Sequence, residues 1–187
     1  MADRMTHEQR HRCMSSVRSK GTKPEMKVRT ALHHRGFRFR TNVKKLPGTP
    51  DIVLAKYRTV IFINGCFWHG HVMCREYRMP QSNIKFWEEK ILNNQRRDAA
   101  NNVRLEEKQW NVITVWECEL RSKIFDNTIE HLVSELNANM FKWEKFTTER
   151  KYNRKLYLAD KKSEKEKAKL LKEEHITRKN RKKTKNE

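Results

Sequence analysis

The sequence predicts an α/β domain set between two basic arms, and three observations carry that prediction. Three short β-branched runs, Asp51–Ala55, Thr59–Asn64 and Trp110–Trp116, read as buried strands. Between and around them the apolar residues recur at helical spacing. The charge is concentrated at the two ends, which leaves the middle nearly neutral.

Among 187 residues, 43 Lys+Arg stand against 23 Asp+Glu, a formal net charge of +20. Residues 1–46 hold 13 basic and 3 acidic residues, residues 47–143 hold 13 and 12, and residues 144–187 hold 17 and 8. Hydrophobic residues make up 36% of the chain, enough for one modest core and thin for the whole length. The organisation expected is a basic N-terminal arm over 1–21, a folded domain over 22–142 and a basic extension over 143–187. An excess of one sign on this scale points to a polyanionic partner, because each phosphate neutralised releases a condensed counterion. Solubility alone does not require it. There is neither an apolar run long enough to span a bilayer nor the apolar stretch of a signal peptide, so a cytoplasmic protein without a membrane partner is expected. In a reducing compartment the 4 cysteines are thiols or metal ligands rather than disulfides.

The elements follow in order. Thr6 to Lys20 is polar and basic, either a short helix with Met14 and Val17 as a weak stripe or an arm that orders on DNA. Thr22-Lys23-Pro24-Glu25 is a helix start, with Thr as N-cap, Pro in the first turn and Glu three residues after the cap. That helix runs to about His34, turns Met26, Val28, Ala31 and Leu32 inward, and ends at Gly36. Phe37-Arg38-Phe39-Arg40 alternates as a half-buried strand does. Leu46-Pro47-Gly48-Thr49-Pro50 is a turn, and the two strands after it form a hairpin expected at the centre of the sheet. Gly65 to Pro80 is irregular. Asn83 to Lys108 is helical, with Phe86, Trp87, Ile91, Leu92, Val103 and Leu105 as core candidates. A last core helix, Phe125 to Asn137, carries Ile129, Leu132, Val133 and Leu136 on one face. The tail beyond is a solvated helix or disordered, either a nucleic-acid grip or an inert charged segment.

The chemistry concentrates between Gly65 and Cys118. Cys66, His71 and Cys74 recur at short spacing, and Cys118 follows a strand that brings it alongside Thr59–Asn64. Three sulfurs and one imidazole make a closed tetrahedral set, the usual form of a structural zinc site, which could fold a loop with little core of its own. Cys13, in the basic arm, is not among the candidate ligands. Phe67 and Trp68 either pack inward or wedge between bases. A hydrolytic site needs oxygen ligands for a hard metal such as magnesium and a group that activates water. Asp51, at a strand start, suits the metal, with the backbone carbonyl of Ile63 as a second ligand. Glu25 and Asp98 are candidates for orienting waters and the histidine, His69.

These residues carry a family resemblance. Leu-Pro-Gly-Thr-Pro-Asp51, Gly65-Cys66-Phe67-Trp68-His69 and Val115-Trp116-Glu117-Cys118 together strongly resemble the very short patch repair (Vsr) DNA mismatch endonucleases, over about Arg12 to Leu136. The resemblance implies a restriction-endonuclease-like α/β core, a central mixed β-sheet flanked by helices, and magnesium-dependent nicking of one strand beside a T:G mismatch left by deamination of 5-methylcytosine. It implies Asp51 as magnesium ligand and His69 as general base, with Glu25 and Asp98 in support. Cys66, His71, Cys74 and Cys118 would hold zinc. Phe67 and Trp68 would intercalate from one groove and Met14 from the other. A monomer is expected, linked in function to a cytosine-5 DNA methyltransferase and to mismatch-repair proteins.

One position departs from the pattern. The best-known members have a second active-site histidine where this chain has Asn64. An amide can position a phosphate or water but cannot exchange a proton near neutral pH. Two other functions fit the same residues: a related homing or restriction-type endonuclease cutting matched DNA, and a zinc-stabilised DNA-binding module without catalysis. Plain binding would require none of Glu25, Asp51, His69 and Asp98.

Overall fold

The computed structural model describes residues 6, 8, 9, 12, 15, 16, 20–72 and 74–183, with side chains to residue 167. The expectations for Cys13, Met14 and Val17 lie outside the described residues. The chain divides into two compact units, Met1–Phe141 and Lys142–Glu187.

The first unit is α/β, built on a three-stranded mixed sheet of order β1-β2-β3. β1 (Ile52–Leu54) runs antiparallel to β2 (Thr59–Asn64), and β2 runs parallel to β3 (Asn111–Trp116). The centre is thus β2 alone. The hairpin expected there has β1 on the edge, since β3 takes the other side of β2. A parallel pair needs a crossover, and the α2 helix (Ile84–Glu107) supplies it.

Strand alternation divides the sheet residues between two faces. Ile52, Leu54, Ile61, Ile113 and Val115 point to one side. There they pack with Val28 and Leu32 of α1 (Lys23–His34) and with Ile129, Leu132 and Leu136 of α3 (Phe125–Lys183). Val53 and Val60 point to the other side, against Leu105 of α2. Truncating a fully buried residue such as Leu32 or Ile61 to Ala costs about 2–5 kcal/mol.

α1 starts as its sequence prescribes. Thr22 caps it, Glu25 returns the capping-box bond, and the apolar face buries Val28, Ala31 and Leu32. Met26 is 51% exposed, and the buried place in that first turn goes to Glu25 instead. Phe37–Arg40 is not a strand. Only Arg40 pairs, with Val53, because a three-residue edge strand turns the backbone groups of just its middle residue outward. Phe37 instead packs on Tyr57, ring centroids 5.1 Å apart.

On α2, Trp87, Ile91 and Leu105 are buried, while Phe86, Leu92 and Val103 are exposed. One side of a helix lying on a sheet is covered, so its other apolar residues face solvent. α3 begins at Phe125 as expected but does not stop at Asn137; it continues to Lys183. No Gly or Pro occurs anywhere from 125 to 187, so nothing in the sequence breaks it. Its residues from Lys142 on make up the second unit.

Arg58 locks the β1–β2 turn. It adopts a left-handed conformation, donates to the carbonyls of Gln109 and Lys108 at 3.0 and 2.6 Å, and lies over the Trp110 ring. This clasp fixes where β3 enters, and with it the register that sets Asn64 beside Trp116.

Candidate active site and metal centre

β1 and β2 position the first functional residue. Asp51 immediately precedes β1, and its Oδ2 accepts from the Ile63 backbone N–H at 2.8 Å. The carboxylate is half-buried, and burial pushes its pKa up from 3.8 to about 6. The Ile63 N–H opposes that rise, the charge of Glu25 adds to it, and Arg29 and His69 oppose it. A carboxylate in this setting is short of positive charge, and its donor chemistry suits a hard cation.

Glu25 is held from four directions. Its carboxylate accepts from the Gly21 N–H at 3.0 Å, from the N–H and hydroxyl of Thr22, and from Arg29 Nη2 at 2.7 Å. Arg29 Nη2 also donates to the Asp51 carbonyl at 3.1 Å. Arg29 therefore ties α1 to the start of β1. Sequence reading missed it; its place one helical turn after Glu25 was the available signal.

The Gly65–Cys74 loop follows β2, and α2 pins it. Asn94 donates to the Trp68 carbonyl at 2.8 Å, and Gln95 donates to the carbonyls of His69 and Gly70 at 3.4 and 3.2 Å. Asp98, one turn after Asn94, bonds His69 Nδ1 through Oδ2. Three consecutive loop residues are thus held by side chains from barely more than one turn of helix. Gly70 permits the approach. Its φ is +61°, and a Cβ there would lie 2.4 Å from Gln95 Nε2 and 2.8 Å from Ile91 Cγ2.

An ionised carboxylate only accepts hydrogen bonds, so in the neutral imidazole of His69 the proton sits on Nδ1 and the lone pair on Nε2. Glu25, Asp51, Ile63, Asn64, His69 and Asp98 all line one open cleft of about 1710 Å³. The residues singled out for hydrolysis are therefore neighbours in space although 73 positions separate the first from the last. An imidazole fixed in orientation and a half-buried carboxylate facing a shared cleft can activate water beside a metal-held phosphate.

Phe67 and Trp68 are half-buried and pack edge-on against Trp87, with centroids 5.2 and 6.0 Å away. The inward packing left open by the sequence is what the structure has. Trp87 is the platform, and Trp68 and Trp87 both line the cleft.

The second cluster lies at the loop's far end. Cys66, His71, Cys74 and Cys118 bring their ligand atoms within 4.8 Å of one another. His71 Nδ1 is 3.6 Å from Cys66 Sγ and 3.5 Å from Cys118 Sγ. A tetrahedron with Zn–S near 2.3 Å and Zn–N near 2.05 Å has an S···N edge of about 3.6 Å, so the four residues fit a tetrahedral metal ion. The parallel β2–β3 register carries Cys118 to the cluster, and His71 stacks on Trp116 at 4.0 Å. Burial, then the crowding of Cys66 and Cys74, pushes the Cys118 thiol up to about 12. Burial likewise raises Cys66. Three thiolates crowded this closely need a cation to share the site.

Residues 2–75 match the family described as DNA mismatch endonuclease Vsr. Over 137 residues the chain is 38% identical to the DNA mismatch endonuclease Vsr of Escherichia coli, covering 72% of this chain and 87% of that protein. The chain belongs to the Vsr family. It is a DNA endonuclease. Two further relatives are called type II nicking enzymes. V.NmeAIP of Neisseria meningitidis is 48% identical over 73% of this chain and 97% of its own length. V.XorIIP of Xanthomonas oryzae is 48% identical over 64% of this chain and 88% of its own. No helix among the described residues is long and apolar enough to cross a membrane.

Proposed function

We propose that this Vsr-family chain nicks one strand of duplex DNA beside a T:G mismatch, with magnesium as catalytic ion and zinc as structural ion. The observation that carries the reading is the His69–Asp98 pair sharing a cleft with the Asp51 carboxylate. In this reading the Asp51 carboxylate and the Ile63 carbonyl hold magnesium, which when bound neutralises charge on the scissile phosphate. His69 Nε2 takes the proton of the attacking water, and Asp98 holds the tautomer and stabilises the imidazolium that results. Glu25, through Arg29, keeps Asp51 in place. Asn64, on the cleft wall, contributes hydrogen bonds to phosphate or water and no proton transfer.

Cys66, His71, Cys74 and Cys118 hold zinc and so fix the loop that carries His69. Phe67 and Trp68, resting on Trp87, leave that platform to stack into the duplex at the mismatch, with Met14 entering from the opposite groove. The core is of the restriction-endonuclease type. The enzyme acts as a cytoplasmic monomer on mismatches arising where a cytosine-5 methyltransferase has acted, ahead of the repair proteins that resynthesise the strand.

The test is a nicking assay on two duplexes that differ only in a T:G or matched pair, with and without magnesium, and with Asp51→Ala as control. Nicking confined to the mismatch and abolished in the variant is expected. Equal cutting of matched DNA would move the enzyme to a homing or restriction role.

A further inference from the structure

The helix from Lys142 onward sorts its charges by side. At 3.6 residues per turn, Arg150, Lys151, Arg154 and Lys155 fall within an arc of roughly 140°, and Lys161, Lys162 and Lys165 continue it. In that arc only Glu144 is acidic among the residues up to Lys167; Glu149 and Asp160 lie on the opposite side, and Glu164 and Glu166 flank the arc just beyond its two edges. All these side chains are exposed. From Arg150 to Lys165 the helix rises roughly 22 Å at 1.5 Å per residue, so the cations form a continuous track along it.

A helix that is merely solvated uses its charges differently. It places Glu or Asp four residues before Lys or Arg, so that pairs form along the surface. Here the residues four after Glu144, Glu149, Asp160, Glu164 and Glu166 are Thr148, Asn153, Glu164, Ala168 and Leu170, none of them basic. The opposite-sign pairs at helical spacing are Lys145–Glu149 and Lys162–Glu166, in the weaker reverse order, and Lys161–Glu164, Glu164–Lys167 and Glu166–Lys169, three apart. Among the described residues, no Lys or Arg from 142 to 167 makes an ion pair. Like charges crowded on one side destabilise a free helix. The same arrangement is complementary to a line of phosphates, whose neutralisation releases counterions. The match to V.NmeAIP spans nearly all of that relative and leaves part of this chain without counterpart, so the nicking core does not require everything found here.

We propose that this one-sided stripe is a sequence-independent grip on the phosphate backbone of duplex DNA, added to a Vsr-type nuclease core. The inference rests on the chain's acting on DNA and adds a binding surface distinct from the cleft residues. It raises affinity for any duplex and does not read bases.

The test compares two triple variants of the full-length protein. Lys151→Gln, Lys155→Gln and Lys162→Gln empty the stripe; Lys142→Gln, Lys145→Gln and Lys167→Gln remove the same charge from the opposite side. Binding to a matched duplex is measured across salt concentrations, with far-UV circular dichroism to confirm equal helix content. The stripe variant is expected to flatten the log–log salt slope by up to about 2.7, or 0.9 per lost phosphate contact, and to weaken binding at least about tenfold at low salt. The opposite-side variant is expected to keep the parent's slope. Equal flattening in both variants would reduce the effect to net charge and overturn the stripe, as would no change in either. Loss of binding to anionic vesicles with DNA binding intact would overturn it in favour of a membrane surface. Magnesium-dependent nicking of a T:G duplex by the parent, measured in parallel, separates failure of the stripe from failure of the endonuclease reading.

Discussion

Nδ1 of His69 lies 2.5 Å from Oδ2 of Asp98, and that single contact decides which nitrogen of the imidazole is available as a base. Asn94 and Gln95 hold the backbone of the loop on the same helix, and the Asp98 contact fixes the ring itself. Replacing Asp98 with Asn presents Nδ1 with a donor as readily as an acceptor, so the proton is no longer held there. Asp98→Asn is expected to lower the single-turnover nicking rate by about 10²–10⁴. DNA affinity measured by titration is expected to stay near that of the parent. A rate within twofold of the parent would remove Asp98 from the mechanism.

Asp51 makes a pH-dependent prediction with a definite sign. Its folded pKa, about 6, lies above the unperturbed 3.8. The neutral carboxyl is therefore the form the fold prefers. Its stabilising share is complete below pH 3.8 and is lost as pH rises through 6. Without magnesium, Asp51→Asn is expected to be more stable than the parent at pH 7.5, by about 1–3 kcal/mol after allowance for solvent screening. The gap should narrow as pH falls from 6 towards 4. Magnesium should raise the parent's urea midpoint and leave the variant's unchanged. A parent that is the more stable of the two at pH 7.5 in magnesium-free buffer would contradict the burial argument.

Much of this was legible in the sequence where the signal is local. Thr59–Asn64 has the predicted bounds because a short β-branched apolar run is a property of the strand itself. The Thr22 cap and Glu25 box depend on four adjacent residues, and they too were readable. Cys66, His71 and Cys74 announced themselves by spacing, and the parallel register brought in Cys118.

What failed to show was whatever depends on a neighbour far along the chain. Phe86, Leu92 and Val103 have the composition of core residues, but the sheet covers only one side of α2. Arg29, Asn94 and Gln95 look like ordinary polar helix positions until Asp51 and the His69 loop are laid against them. The choice between inward packing and exposure for Phe67 and Trp68 was set by Trp87, twenty residues on.

The tetrahedral cluster predicts a stoichiometry. Purified protein is expected to carry one zinc per chain by elemental analysis. Cys118→Ser should lose it, because serine supplies no thiolate and leaves only two sulfurs and an imidazole for the ion. Loss of the ion frees the loop from β3, so nicking should fall together with thermal stability, and added zinc should rescue the parent stripped by a chelator but not the variant. Protein without bound zinc and with full activity would show that the four residues are only packed thiols and an imidazole.

Gly70 tests whether the loop must lie on α2 for chemistry to occur. A methyl group there would sit 2.4 Å from Gln95 Nε2, and the residue would still need a φ of +61°. Gly70→Ala therefore combines backbone strain with a clash, a cost of about 1–3 kcal/mol. The relief available is for Gln95 to swing away, which breaks its bonds to the His69 and Gly70 carbonyls. The loop then lifts and carries His69 off Asp98. The expected signature is a nicking rate reduced at least about tenfold with DNA affinity little changed, since a misplaced base costs rate rather than binding. The double variant Gly70→Ala with Gln95→Ala removes the clash but not the strain or the missing bonds, so it should recover stability more than rate. Recovery of both in equal measure would mean that Gln95 is only an obstacle to the methyl group and has no part in holding His69.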